Sequence, residues 1–267
     1  MFEKREFARL REKYGPWAVV TGASSGIGRG LAAYLARAGL NVVLVARRRE
    51  LLEELSAEIQ AAGRDVKIIS ADLAVDAGIA AVQSGTKNLD VGLFVAAAGF
   101  GTSGPLLKSE LTSELEMLAV NCRALLTLTH TFSRRFVERG RGGVVLLSSM
   151  VAFQGVPFAG HYAATKAYVQ SLAEALRVEL GPLNVDVLAA APGPTESGFA
   201  ERANMRMGAA LAPEELARPI MHALGRRSTV LPGLLTKFLV GSLATLPRWG
   251  KVRAMGVVMN GMTKHQA

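Results

Sequence analysis

The chain has 267 residues, of which 50% are hydrophobic, and it carries a formal net charge of +9. This length suits one large α/β domain or two small ones, and the composition excludes a disordered or collagen-like chain. A single cysteine excludes a disulfide framework, and one cysteine with four scattered histidines suggests no metal site.

The N-terminal segment, residues 1–15, is charged and lacks the apolar core of a signal peptide. No uncharged apolar run along the chain reaches the roughly 18–20 residues that are needed to span a bilayer. The sequence therefore predicts a soluble, cytoplasmic protein.

From residue 17 onward, short apolar runs that are typical of strands alternate with amphipathic segments that are typical of helices. Gly39 and Gly181 stand just past two of the helical segments, where a left-handed cap favours glycine. The predicted strands lie at 17–21, 41–46, 66–70, 93–97, 144–148 and 185–190, and the predicted helices at 27–38, 49–62, 114–139 and 163–180.

The strands are continuously apolar, so we expect both faces of the sheet to be buried. Alternation of strands and helices, with no internal repeat or linker, predicts one catalytic domain over residues 1–267. We expect an α/β fold with a single doubly wound parallel sheet (a Rossmann fold), helices on both faces and a helical extension at the C-terminus.

A glycine-rich loop, TGASSGIG at residues 21–28, follows the first strand and opens the first helical segment. Glycines allow a tight turn and a close approach of the backbone to a pyrophosphate, and the helix N-terminus supplies free N–H groups. A purely structural glycine turn is the alternative. The candidate phosphate ligands are Gly22, Ser24, Ser25, Gly26, Ile27 and Gly28.

The end of the second strand carries three arginines where NAD enzymes usually offer an acidic residue to the ribose. Arginine can hold a 2′-phosphate by charge-assisted, bidentate hydrogen bonds. We therefore expect NADP(H), rather than NAD(H), to bind at Arg47 and, second, at Arg48, and we expect Arg49 to decorate the next helix. Asp72, at the end of the third strand, either caps a turn or meets the adenine.

Tyr162 and Lys166 are four residues apart on a predicted helix, so their side chains share one face. A free phenol has a pKa near 10, and a neighbouring ammonium, together with the positive nicotinamide ring in the oxidised complex, favours the phenolate. Tyr162 can then give a proton to a carbonyl or take one from an alcohol. A serine after the preceding strand, Ser148 or Ser149, can hydrogen-bond the same oxygen. A surface Tyr–Lys pair is the alternative.

These motifs resemble the short-chain dehydrogenase/reductase family from about residue 17 to residue 199. The loop at 21–28 is similar to the family's TGxxxGxG, and Tyr162 with Lys166 is similar to its YxxxK. The resemblance selects Ser149 as the catalytic serine. It also implies that Asn121 is a fourth catalytic residue, which helps to hold a water between the lysine and solvent.

The same resemblance implies further cofactor contacts and favours the adenine for Asp72. Two stretches depart from the family pattern. Residues 96–99 read AAAG instead of NNAG, which leaves only backbone contacts at Ala97, and the threonine expected after Pro192-Gly193 is displaced, so that Thr195 and Ser197 compete for the nicotinamide carboxamide. The implied cofactor-binding residues are Gly22, Ser24, Ser25, Gly26, Ile27, Gly28, Arg47, Arg48, Asp72, Leu73, Ala97, Tyr162, Lys166, Pro192, Gly193, Thr195 and Ser197.

Within the family, the chain looks most like a poorly characterised bacterial subgroup that is similar to ketoacyl reductases and hydroxysteroid dehydrogenases. The resemblance implies a hydride transfer between NADP(H) and a carbonyl or alcohol in a homo-oligomer, a dimer or tetramer. Segment 198–212 is a candidate lid over the substrate. An apolar pocket and plain core are equal alternatives for Met150, Phe153, Val156, Phe158, Phe199, Met205 and Met207.

The positive charge is concentrated at the C-terminal end, where residues 216–267 contain eight Lys or Arg and no Asp or Glu. An amphipathic helix is predicted at 234–243, and Pro247-Arg248-Trp249 interrupts any continuation. The basic tail, about 233–267, could cover the pocket, build a subunit interface or lie on a membrane surface; family habit favours the interface. Its cations alternate with apolar residues, which argues against nucleic acid. A solvated basic surface is the simpler interpretation.

Two other classes of function compete with an enzyme. One is a nucleotide-binding sensor on the same scaffold, which predicts a broken Ser–Tyr–Lys set, whereas the set here is whole. The other is a peripheral membrane protein that uses the basic tail.

Overall fold

The computed structural model describes residues 2–205 and 210–266. Within these ranges, seven parallel strands form one sheet in the order β3-β2-β1-β4-β5-β6-β7. The strands are β1 Trp17–Thr21, β2 Asn41–Ala46, β3 Val66–Ser70, β4 Val91–Ala96, β5 Gly142–Leu147, β6 Val185–Ala190 and β7 Thr229–Val230.

Helices cover both faces of this sheet, because the side chains of each strand alternate between two cores. On one face, strand residues such as Val20 and Leu44 pack with helices α1, α2, α3 and α9. On the other face, Val19 and Val43 belong to the core built with α4, α6 and α7. The helices are α1 Phe2–Tyr14, α2 Gly26–Arg37, α3 Arg49–Ala61, α4 Asp76–Gly85, α5 Leu111–Leu118, α6 Leu125–Arg139, α7 Gly160–Leu180, α8 Phe199–Arg202, α9 Pro213–Ala223, α10 Leu234–Ala244 and α11 Arg248–Thr263.

The doubly wound α/β fold is therefore confirmed, with three local corrections. The long predicted helix at 114–139 is divided by a π-helical segment, Ala119–Ala124. Gly39 has the expected positive φ of 97°, but Gly181 is right-handed, and Asn184 takes the left-handed position after a short 3₁₀ turn. Strand β3 is not buried on both faces, because it forms the sheet edge and only Ile69 is buried.

A helical extension follows β7, as expected. The break predicted at 247–249 exists, but it is brief: Pro247 precedes a second helix, α11, which the sequence pattern did not predict. Met255 and Met259 of α11 pack against Val156, Ala159 and Ala163 beside the start of α7. No helix in the described ranges is long and apolar enough to cross a membrane.

Candidate active site

A cavity of about 1060 Å³ opens at the carboxyl ends of the central strands. Such a position is typical of ligand sites in open parallel sheets. All of the predicted cofactor-binding residues line this cavity, and so does Ser149. Asn121 lies behind the wall and is fully buried. Arg49 points elsewhere and pairs with Glu53 at 2.8 Å, as the surface interpretation expects.

The loop after β1 has the backbone that a phosphate cradle requires. Gly22 and Gly26 have φ values of 70° and 56°, where other residues are strained. A Cβ atom on Gly28 would collide with the backbone carbonyl of Gly22. Ser25 occupies the N-cap of α2 without capping it through its side chain. The first N–H groups of α2 are therefore available to an anion, so the loop fits a dinucleotide's pyrophosphate.

Thr21 is a residue whose role the sequence did not predict. Its Oγ1 accepts hydrogen bonds from the backbone N–H groups of Ala97 (3.1 Å) and Ala98 (3.2 Å). The hydroxyl therefore fixes the AAAG segment directly, although the asparagines of the family pattern are missing. Its position as the first residue of the TG motif was the available signal.

The predicted arginines line the cavity together with the glycine loop, and both already form hydrogen bonds. Arg48 Nη2 donates to Ser24 Oγ (3.1 Å) and to Ser25 Oγ (2.7 Å). Arg47 Nη1 donates to Glu116 Oε1 at 3.1 Å. Arg47 remains about half exposed, so a phosphate can reach its guanidinium.

Glu116 also accepts a second arginine, which the sequence did not predict. Arg202 of α8 donates to the same Oε1 at 3.3 Å, and its guanidinium lies 3.6 Å from the centroid of the Phe100 ring. Arg47, Glu116 and Arg202 are widely separated along the chain, so no local pattern could have joined them. This ion-pair cluster connects the candidate lid to the loop after β2.

Ser149, Tyr162 and Lys166 also line this cavity. Ser149 follows β5 and hydrogen-bonds Tyr162, whose ring packs against Phe199 with centroids 5.1 Å apart. Lys166, one turn further along α7, donates to the carbonyl of Leu147 at 2.8 Å. Its Nζ lies 5.9 Å from the centre of the Tyr162 ring. This arrangement places a phenol, a hydroxyl and an amine beside one wall.

Burial controls the protonation of both groups on α7. Burial raises the pKa of Tyr162 to about 12 and outweighs the hydrogen bond from Ser149, which lowers it. Burial also lowers the pKa of Lys166 to about 8, because the charged ammonium loses water. In the protein alone, burial therefore favours the neutral phenol. The predicted phenolate concerns the complex with the oxidised cofactor and stays a prediction.

Asn121 fastens two elements behind the cavity. Its Oδ1 accepts from Phe100 N (3.1 Å), and its Nδ2 donates to Phe100 O (2.9 Å) and Thr165 Oγ1 (3.0 Å). The side chain is thus occupied in holding the loop after β4 against α7. Asn121 lies in the π-helical segment, and such segments are common at functional sites.

The loop after β6 carries the two hydroxyls proposed for the nicotinamide. Thr195 Oγ1 donates to Gly193 O at 3.0 Å, and Ser197 Oγ donates to Thr195 O at 3.3 Å. Both line the cavity, so both stay candidates. Thr236 of α10, which was not predicted, accepts from Gly193 N at 3.1 Å and ties the C-terminal extension to this loop.

The rest of the cavity is walled mainly by apolar side chains of the C-terminal helices. Of the predicted pocket residues, Met150, Phe199 and Met205 line it, Met207 lies outside the described ranges, and Phe153, Val156 and Phe158 lie elsewhere. For Val156 and Phe158 the core alternative holds, because they pack under α11. The unpredicted lining residues from α10 and α11 are Leu239, Ser242, Leu243, Ala254, Met255, Val258, Met259 and Met262.

Hydrogen bonds tie the described part of the candidate lid to two other segments of the chain. Ser103 Oγ donates to the carbonyl of Ala203 at 2.5 Å. Gln266, at the end of the chain, donates to Ser103 Oγ at 3.0 Å and to the carbonyl of Asn204. Residues 206–209 of the predicted lid lie outside the described ranges.

The sequence matches the short chain dehydrogenase family over residues 16–207, so the chain belongs to this family. It is 33% identical over 233 residues to a 7beta-hydroxysteroid dehydrogenase of Clostridium sardiniense, covering 85% of this chain and 89% of the relative. A very-long-chain 3-oxoacyl-CoA reductase-like protein of Arabidopsis thaliana is 35% identical over 187 residues. The match covers 68% of this chain and 60% of that protein. A short-chain dehydrogenase from Sphingobium yanoikuyae in complex with NADPH superposes with a TM-score of 0.78 at 29% identity, over 87% and 96% of the two chains. The chain is an oxidoreductase, and the resemblance stated above is confirmed.

Proposed function

We propose that the protein uses NADPH to reduce the carbonyl of a bulky, apolar substrate. One observation carries the proposal: a single cavity joins the glycine loop and Arg47 to Tyr162 and then to the apolar wall of α10 and α11. A polar dinucleotide and an apolar substrate could therefore bind in adjoining parts of this cavity, with the candidate acid Tyr162 between them.

The described residues divide the work of binding the cofactor. The loop at 22–28 and the N-terminus of α2 would hold the pyrophosphate, and Arg47 with Arg48 would hold a 2′-phosphate. Thr195 or Ser197 would orient the nicotinamide, which supplies the hydride when it is bound. Asp72 and Leu73 line the cavity near the expected adenine.

The chain's own side chains move the proton. Tyr162, kept protonated by its raised pKa, donates its phenolic proton to the carbonyl oxygen of the substrate. Ser149 donates a hydrogen bond to the same oxygen and steadies its developing negative charge. The ammonium of Lys166 stabilises the phenolate that remains after the proton has left. This protonation state favours reduction as the working direction.

The substrate class follows from the walls of the cavity. Met and Leu side chains of α10 and α11 offer a large, deformable apolar surface, which suits a steroid-like or acyl-chain-like ketone. The relatives named as a hydroxysteroid dehydrogenase and an oxoacyl-CoA reductase-like protein support this choice.

Replacing Arg47 by alanine tests the cofactor assignment. We expect the Kd for NADPH to rise roughly 10- to 100-fold, because a charge-assisted contact to the 2′-phosphate is lost, while the Kd for NADH stays unchanged. Fluorescence titration of the purified protein with both cofactors measures this change. The matched control is Arg49→Ala, which removes an arginine outside the cavity. The assignment would be overturned if the protein bound NADH more tightly than NADPH and if the Arg47 substitution left the Kd for NADH unchanged.

We also propose that the protein is a homo-oligomer, paired through the outer face of α5, the π-helical segment and α6. Exposed apolar side chains repeat along this face at helical spacing, and they border a groove of about 530 Å³. A second copy would bury them. The exposed residues are Leu111, Leu115, Leu118 and Leu126, with Tyr168 of α7 beside them.

Leu118→Arg tests this interface. A buried, unpaired charge at the contact is expected to convert the oligomer to monomers at micromolar concentration, as measured by light scattering during gel filtration. Leu183→Arg, at an exposed leucine that does not line this groove, serves as the control and should leave the mass unchanged. A wild-type protein that runs as a monomer would contradict the proposal.

A further inference from the structure

Helices α10 and α11 present two different faces. Their inner faces wall the apolar part of the cavity. Their outer faces leave four large apolar side chains in solvent: Leu234 is 82% exposed, Phe238 71%, Trp249 67% and Val257 78%. Burying such side chains is strongly favourable, so a surface that exposes four of them is a candidate binding surface.

Cations are interspersed with these apolar side chains. Residues 233–267 contain five Lys or Arg and no acidic residue. Lys237 lies beside Phe238 on α10, and Arg253 lies one turn after Trp249 on α11, and both are exposed. Within the described ranges, none of the five cations forms an ion pair with an acidic side chain. Their charge is therefore uncompensated by the protein.

We propose that the outer face of α10 and α11, here called the C-terminal face, docks on an anionic lipid surface. A helix that combines lysine and arginine with exposed leucine, phenylalanine and tryptophan lies in the interface plane of a membrane, apolar side chains inward and cations at the headgroups. Each cation near an anionic leaflet adds to the attraction.

Other occupants fit the C-terminal face less well. A second copy of the chain, paired face to face, would bring ten cations together with no acidic residue between them, which is strongly repulsive. A nucleic acid would use the cations and leave the four large apolar side chains in water. An anionic lipid surface satisfies both kinds of side chain.

Docking would place the cavity beside the source of an apolar substrate. The helices that carry the C-terminal face also wall the cavity, and the segment that follows α11 holds the described part of the lid through Gln266. The inference goes beyond the reduction proposed above and does not depend on it, because lipid binding can be measured without any turnover.

The direct test is co-sedimentation of the full-length protein with sucrose-loaded vesicles. One set contains only phosphatidylcholine and the other contains phosphatidylcholine with phosphatidylglycerol. We expect binding to the anionic vesicles at low salt and release at high salt, because the attraction is screened. The emission of Trp249 should shift to shorter wavelength on binding, and the Trp249→Phe variant should lack this shift although Trp17 remains.

Two matched charge reversals identify the C-terminal face. We expect Lys237→Glu with Arg253→Glu to weaken binding to anionic vesicles at least tenfold. Lys67→Glu with Lys87→Glu, two exposed lysines on and near the sheet edge, changes the net charge equally and should have a much smaller effect. Phe238→Ser with Trp249→Ser should also weaken binding while turnover of a water-soluble ketone persists.

Several outcomes would overturn the inference. These are no binding to anionic vesicles, equal loss of binding in the two charge-reversed variants, or binding that is unaffected by the serine substitutions. Preferential binding to a DNA duplex over anionic vesicles at equal salt would assign the C-terminal face to nucleic acid instead.

Discussion

Replacing Tyr162 by phenylalanine is expected to lower kcat for carbonyl reduction by about 10²- to 10⁴-fold, the usual contribution of a positioned acid. The phenol is the group that the geometry offers as proton donor, and its raised pKa keeps it protonated across the neutral range. Phenylalanine retains the ring that packs against Phe199, so the wall of the cavity should survive.

The measurement is the initial rate of NADPH oxidation with a bulky ketone, together with the Kd for NADPH. We expect the Kd to stay within a few-fold of the wild-type value, which separates loss of chemistry from loss of binding. Tyr168→Phe is the matched control, since Tyr168 lies on the same helix but faces a separate groove. If the Tyr162→Phe enzyme retains more than a tenth of the wild-type kcat, Tyr162 is not the proton donor.

Lys166→Met should lower kcat by roughly 10²- to 10³-fold. The variant lacks the positive charge that stabilises the phenolate of Tyr162 once its proton has been donated. The ammonium lies 5.9 Å from the centre of the Tyr162 ring and is fixed by the Leu147 carbonyl. Methionine has a similar length and leaves the buried volume nearly filled, so a gross packing defect is not expected.

The pH dependence separates this role from a structural one. Because burial lowers the pKa of Lys166 to about 8, the ammonium is present below that pH and is lost above it. We therefore expect kcat/KM for NADPH to fall as pH rises through about 8, whereas Tyr162, at about 12, contributes no step in this range. The Lys166→Met enzyme should lack the step near 8. Lys166→Arg, which keeps its charge, should move the step to higher pH; a wild-type profile that stays level to pH 10 would refute the role.

The same shift has a consequence for stability with the opposite trend. The folded-state pKa of Lys166 lies below the value of 10.5 for an unburied lysine, so the unfolded chain binds more protons between about pH 8 and 10.5. The contribution of Lys166 to the free energy of unfolding therefore rises with pH in that window. Activity falls where this contribution rises, which distinguishes the catalytic effect from unfolding.

The sequence predicted the parts of the protein that depend on local patterns. The glycine loop, the arginines after β2 and the Tyr–Lys pair on α7 are each set within a few residues, and the structure places them in one cavity. The two-residue strand β7 is too short to leave a pattern. Helix α11 was not predicted because Pro247 reads as an end, whereas here it precedes a helix start.

Long-range partners were beyond prediction from one sequence. Glu116 joins Arg47 to Arg202, and Thr236 meets Gly193, only because the chain folds back on itself. The protonation of Tyr162 in the protein without cofactor was beyond the sequence for a related reason. Spacing along α7 gave the neighbour, Lys166, but not the burial that dominates the pKa of both groups.

The hydroxyl of Thr21 holds the segment after β4 through its backbone rather than through its side chains. Because Ala97 and Ala98 are anchored by their backbone N–H groups, the side chains at residues 96–98 are released from holding the loop. Genome surveys that require asparagines at this segment would discard such an enzyme, although its cavity is intact. A survey keyed instead to the glycine loop and the Tyr–Lys pair would retain it.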